Sequence, residues 1–109
     1  MTPSAPITAT PIAAAGLAGA EALLEDLDLA EEALANLIRL SGADEARLRT
    51  AAGWSARVEL DDTPLLLVAE GDRWSILAPP DADVSDAMLA ARRLHARLGE
   101  AAEGWDLDR

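Results

Sequence analysis

The spacing of apolar residues switches period twice along the chain, from helical to alternating and back to helical. The alternating part is Trp54–Pro80, which divides into three short runs. In the first, Trp54, Ala56, Val58 and Leu60 point one way and Ser55, Arg57 and Glu59 the other, as in a strand with one wet face. Asp61-Asp62-Thr63-Pro64 makes the connection, and Pro64 is expected at the first position of the next strand, where a missing N–H does least harm. The second run, Leu65–Glu70, breaks the alternation: Leu65, Leu67 and Ala69 on one face are matched by Leu66 and Val68 on the other. Both of its faces therefore require cover. Gly71-Asp72 reads as a two-residue hairpin loop, because glycine supplies a positive φ there. In the third run Trp74, Ile76 and Ala78 oppose Arg73, Ser75 and Leu77, and Pro79-Pro80 ends it. The three runs predict an antiparallel meander.

Before the meander, Leu17, Ala20, Leu24, Leu27, Leu34 and Ile38 form a stripe at helical spacing, flanked by Leu23, Ala30 and Leu37. Glu31 interrupts it, and Asp28 with Glu31 has the form of a capping box. A helix pair, about 16–27 and 29–40, is expected to meet near Asp28, with one long helix as the alternative. Ser41-Gly42 is a helix stop. Asp44–Ala52 adds a short capped helix anchored by Leu48. After the meander, Asp83 or Ser85 caps a last helix, with Val84, Ala87, Ala91, Leu94 and Leu98 as its buried stripe and Met88 beside it. Arg92, Arg93 and Arg97 gather toward its end, and Gly99 is placed to stop it. The expected architecture is α+β: an N-terminal helix or helix pair, a three-stranded antiparallel meander and a C-terminal helix. Residues 1–15, rich in Pro, Thr and Ala, read as a flexible arm that Ile7 and Ile12 could dock. Residues 16–99 read as one domain, and residues 100–109, with Trp105 and Leu107, as an acidic tail.

Composition sharpens this picture at three points. The 109 residues suit one domain near the lower limit of self-sufficient folding. Half of them are apolar, yet Phe and Tyr are absent and Trp54, Trp74 and Trp105 are the only aromatics. Aromatics supply much of the buried area in small domains, so a partner or a second copy of the chain, a homodimer, is a plausible cover for apolar surface. Acids outnumber bases 20 to 9, for a net charge of −11, which disfavours nucleic acid and suits a basic partner. All the bases are Arg, as in GC-biased bacterial coding. No apolar run approaches the roughly 20 residues that span a bilayer. The uncharged first 20 residues, with Pro3, Pro6 and Pro11, lack the basic region and unbroken apolar core of a secretory signal. A soluble cytoplasmic protein without membrane attachment is expected.

Candidate chemistry is thin. Cys, Lys and Tyr are absent and His95 is the only imidazole, read as a structural or surface residue. Asp81–Asp86 resembles the start of a calcium loop, but Asp86 and Arg92 stand where an EF-hand requires Gly and Glu. Gly16 and Gly19 lack the lysine of a phosphate loop. No catalytic residue, metal or cofactor is expected, and the chain is read as a non-enzyme. Six acids and no base lie in residues 21–32 (Glu21, Glu25, Asp26, Asp28, Glu31 and Glu32), which on a helix make either a solvated face or a dock for a basic segment.

The order of elements resembles that of the class I chaperones of type III secretion, the Tir-chaperone-like family. The residues that carry the likeness are the helix around Leu23–Leu40, the strands Arg57–Asp61, Leu65–Glu70 and Ser75–Pro79, and the helix from Asp86 to Leu98. The resemblance implies a dimer that holds an extended segment of a secreted effector. The expected function is thus a non-enzymatic protein-binding module, a small acidic chaperone or adaptor. The alternatives are an antitoxin, immunity or inhibitor protein that neutralises a basic partner, or an accessory subunit of a larger complex. Candidate binding residues are the apolar Trp54, Leu66, Val68 and Trp74 and the acidic Glu25, Asp26, Glu31 and Glu32. Apolar docking would depend on Leu66 and Val68. Acid-driven docking would depend on salt and on the acids of 21–32.

Overall fold

The computed structural model describes residues 7–12, 17–60 and 62–107, with side chains as far as residue 99. The elements in order are β1 (Ile7–Thr10), β2 (Glu21–Asp28), α1 (Ala30–Ser41), α2 (Glu45–Leu48), β3 (Gly53–Leu60), β4 (Thr63–Glu70), β5 (Arg73–Ala78) and α3 (Val84–Leu107). The strands make one five-stranded antiparallel sheet in the order β1-β3-β4-β5-β2. The protein is therefore α+β with a C-terminal helix.

The alternating runs form the middle of the sheet. Trp54 faces Ala69, which faces Trp74, and Ala56, Leu67 and Ile76 make the next row, so the inner face is built from the positions the alternation picks out. Glu70 pairs with Arg73 around Gly71, whose φ is 60°. Gly53 is required for another reason: a Cβ there would collide with the carbonyl of Ala69 on the neighbouring strand. α1 and α3 cover this inner face. Ala30, Ala33, Leu34 and Leu37 from α1 meet Ala87, Ala90, Ala91, Leu94 and Leu98 from α3 in one apolar cluster with Trp54, Leu65, Leu67, Trp74 and Ile76. Between the helices, the buried side-chain amide of Asn36 donates from Nδ2 to the carbonyl of Leu98. Asp83 caps α3, its Oδ1 accepting from the backbone N–H of Ser85 at 2.9 Å, and Asp44 caps α2 in the same way through Ala46.

Four expectations are corrected. Residues 7–10 of the arm are not loose: they form β1, which pairs with β3 and buries Ile7. Residues 21–28 are a strand and not a helix, so there is one N-terminal helix of length, Ala30–Ser41, and the sheet has five strands instead of three. Ala, Leu and Glu favour helix locally, but the outer edge of β5 presents N–H and C=O groups that need partners, and β2 supplies them. Leu24 and Leu27 then lie opposite Ile76 and Trp74, with two register shifts absorbing the mismatch between helical spacing and strand spacing. Gly99 does not end the last helix, whose backbone continues to Leu107, and Val84 is 42% exposed instead of buried. The Trp105 side chain and residues 108–109 lie outside the described residues, as do residues 1–6 and 13–16.

The second face of β4 is partly buried, at Leu66 fully and at Val68 by about half. β1 and β2 lie at opposite edges of the sheet. Leu17, shortly before β2, shares a hollow with Val68, Ser75 and Leu77 on the face away from the helices. Leu66, on that same face, is 2% exposed although it is no part of the helix-side cluster. Leu66 is therefore not open surface, while Val68, Ser75 and Leu77 beside it are half-buried. Leu66→Ala is expected to cost about 2–3 kcal/mol, at the lower end for buried leucine truncation, read as a shift in the urea midpoint. A variant as stable as the parent would return Leu66 to the list of surface residues.

Candidate functional site

The most distinctive local geometry is the corner where β2 turns into α1. Two residues there depart from ordinary strand and helix backbone: Asp26 has φ 58°, and Leu29 has φ 64° and ψ 51°. Left-handed backbone costs a side-chain-bearing residue about 1–2 kcal/mol, and a branched residue such as leucine is a rare occupant. Leu29 stands in the N-cap position without a capping side chain, the place expected for Asp28.

Two indoles hold this corner. Trp74 Nε1 donates to the carbonyl of Asp28 at 3.0 Å, and Trp54 Nε1 donates to the carbonyl of Ala30 at 3.0 Å. The carbonyls on both sides of Leu29 are thus tied to the sheet. The two rings pack against each other with centroids 6.1 Å apart and tilted by 36°. His95 on α3 continues the row, its ring centroid 5.9 Å from that of Trp74. From the hairpin side, the carbonyl of Asp72 accepts the N–H of Ala30 at 3.1 Å. The strain at Leu29 persists because its neighbours are over-determined by these contacts.

The corner frames a hollow of about 340 Å³. Asp26, Asp28, Glu32 and His95 share it with Leu27, Leu29, Ala33 and Leu98, so apolar surface lies among carboxylates. Leu29 is 52% exposed, one of the few large apolar side chains left in water among the described residues. Asp28 pairs with its cross-strand neighbour Arg73 at 3.0 Å. Glu31 faces the other way, toward α2: Arg49 grips it with two hydrogen bonds of 2.7 and 2.8 Å and also bonds Glu45. These bonds, and the charge attraction that goes with them, hold the Glu31 carboxyl below the usual carboxylate range, and slight desolvation works against them.

Of the residues expected to bind a partner, the structure buries three. Trp54 is 0% exposed and Trp74 2%, both spent on the corner's framework, and Leu66 is enclosed as described above. Val68 is half-buried and lies against a second hollow, of about 490 Å³, with Leu17, Ser75 and Leu77, rimmed by Asp26, Glu70 and Arg73. Glu25, Asp26, Glu31 and Glu32 are all exposed. They do not share a helical face: Glu25 and Asp26 lie on the bulged edge strand, and Glu31 and Glu32 in the first turn of α1. Asp26 borders both hollows. Leu29 was not singled out from the sequence. Its only signal there is a leucine directly after a capping-type Asp28, which helical periodicity absorbs. Among the described residues no group of three or more His, Asp or Glu side chains is placed to hold a metal ion, and no helix is long and apolar enough to cross a membrane. Compared with protein-family models, with curated proteins and with solved structures, the chain matches none.

Two outcomes follow from this geometry. Trp54→Phe and Trp74→Phe should each cost about 1–3 kcal/mol through a lost hydrogen bond and a smaller ring. Because both indoles hold one turn, the double variant should cost at least about 0.5 kcal/mol less than the sum, and simple additivity would show two independent anchors. The second concerns Glu31. Its folded pKa is lowered, so its contribution to stability is complete above the unfolded carboxylate value, about 4.3, and disappears as pH falls through the folded value. The urea midpoint of the parent should exceed that of Glu31→Gln at neutral pH, by a small margin because the pair is exposed. The margin should close in acid. A margin unchanged by pH would remove the Arg49 grip as its cause.

Proposed function

We propose that this chain is a non-enzymatic protein-binding module, a small acidic adaptor or chaperone of cytoplasmic type, that holds a basic segment of another polypeptide at the β2–α1 corner. The observation that carries the proposal is Leu29: an apolar side chain more than half exposed, on left-handed backbone, beside a hollow bordered by Asp26, Asp28 and Glu32. A solvent-facing position with this backbone is more stable with Asn or Gly than with Leu, so a leucine there points to a use outside the fold. The surrounding carboxylates select cationic side chains, and the chain's net charge of −11 steers them in from a distance. An apolar anchor ringed by charge is a usual arrangement for a specific contact.

This reading moves the weight from apolar docking on β4 to acid-driven docking, since all four acidic candidates are exposed, whereas three of the four apolar ones are buried and Val68 is half-buried. Strand addition at β2 is a poorer mode. The register shifts and the left-handed Asp26 interrupt its ladder, and its acids blunt the edge. What the chain has in common with the type III secretion chaperones, in this proposal, is the manner of action: a polypeptide held on a surface without chemistry. An antitoxin, immunity or inhibitor protein would use the same corner, and the two differ in whether the captured partner loses an activity.

The test is capture from native lysate with partner identification by mass spectrometry, followed by binding measurements on the purified pair. Leu29→Asn should leave stability unchanged or raise it by up to about 1 kcal/mol while weakening the partner's binding. Asp26→Asn with Glu32→Gln should weaken it further and flatten its salt dependence. A partner bound equally well by Leu29→Asn would overturn the assignment of the corner.

A further inference from the structure

We propose that α3 is the interface of a two-fold symmetric dimer of this chain, with Leu89 at its centre. The buried stripe of α3 is Ala87, Ala90, Ala91, Leu94 and Leu98, and Leu89 stands on the opposite side of the helix, 55% exposed. Beside it is a hollow of about 200 Å³ bordered by Leu60, Thr63, Ala90, Asp86 and Arg93. One turn before Leu89 on the exposed side is Asp86, and one turn after it are Arg92 and Arg93. The sequence of that face is thus acid, leucine, base.

Such an order is its own complement under a two-fold rotation. When two copies of α3 lie antiparallel with the axis beside Leu89, Asp86 of each copy meets Arg93 of the other, because both lie on the same flank of Leu89, and each Leu89 lies against the other's Leu89 and its flanking hollow. An isologous contact requires this self-complementarity, and a parallel arrangement would place like charges together. Ser85 and Ala96, exposed on the same side, are small enough for the helices to approach closely. Arg93 also interacts within its own chain, but a guanidinium has five N–H donors and can serve both. The surface lies away from the β2–α1 corner, so the dimer would carry two corners and stands or falls separately from the proposed function.

The measurement is molar mass of the full chain by sedimentation over a dilution series. The parent should be a dimer that dissociates on dilution and more readily in high salt. Asp86→Arg alone and Arg93→Asp alone should be monomers, because each sets like charges across the axis. An equimolar mixture of these two variants should recover a dimer containing one of each, since the altered residues then complement one another. That recovery also shows that both variants fold. Leu89→Asp should be monomeric in every combination. A parent that is monomeric at all concentrations would overturn the dimer, as would a dimer indifferent to both charge reversals. Reversals that abolish the dimer without recovery in the mixture would overturn the antiparallel register.

Discussion

Two indole N–H groups, donated to the carbonyls on either side of one leucine, hold this structure in its form. Trp54 and Trp74 lie on different strands, in contact with one another, and reach the same strand-to-helix turn. Buried indole N–H groups need acceptors, and buried carbonyls need donors. By meeting both needs at Asp28 and Ala30, the tryptophans fix where β2 ends and where α1 begins. The position of α1 over the sheet then determines how Leu34 and Leu37 meet α3, and Asn36 ties the two helices together at Leu98. In a core otherwise made of Leu, Ala, Val and Ile, these are the contacts with direction. Apolar packing tolerates many arrangements, and a few directed bonds select among them.

The same turn concentrates the features relevant to function. Fixing its neighbours forces Leu29 into left-handed backbone and turns its side chain into water, and the acids that precede and follow it in sequence become the border of a hollow. Scattered along a helix, those acids would form a diffuse negative face. Divided between a bulged edge strand and the first turn of a helix, they surround an apolar patch. The division also assigns them different duties: Glu31 braces α1 against α2 through Arg49, Asp28 braces β2 against β5 through Arg73, and Asp26 and Glu32 border the hollow. Charge at the edge has a second effect, since with the register shifts it discourages β2 from recruiting further strands.

Much of the meander was legible before the structure, and for a clear reason. Trp54, Ala56, Val58 and Leu60 alternate strictly, Gly71 marks the hairpin, and each of these is a local signal with one physical reading. Ser41-Gly42 and Asp83 likewise mark helix ends through local backbone requirements. Glu21–Asp28 was misread because its residues favour helix and happen to space Leu24 and Leu27 three apart. A strand can carry that spacing only with register shifts, and those exist only once β5 is there to pair with. Ile7–Thr10 was misread for a related reason: four residues have too little periodicity to declare themselves, and the edge of β3 gives them their form. Trp54 and Trp74 are candidate partner contacts in the sequence and are buried in the fold, since no sequence shows whether an indole faces a partner or its own chain.

The sequence by itself therefore determined the three central strands, the helix from Ala30, the helix from Val84, the acidic balance and the scarcity of catalytic side chains. These depend on period, capping and composition, which act over a few residues. Tertiary structure alone decided that 21–28 is a strand, that β1 and β2 close opposite edges, that Leu66 is covered, and that Leu29 is the exposed apolar residue at an acidic corner. Each of these depends on a backbone edge or an indole from a distant part of the chain finding its hydrogen-bond partner. That long-range demand overrode the helical preference of Glu21–Asp28.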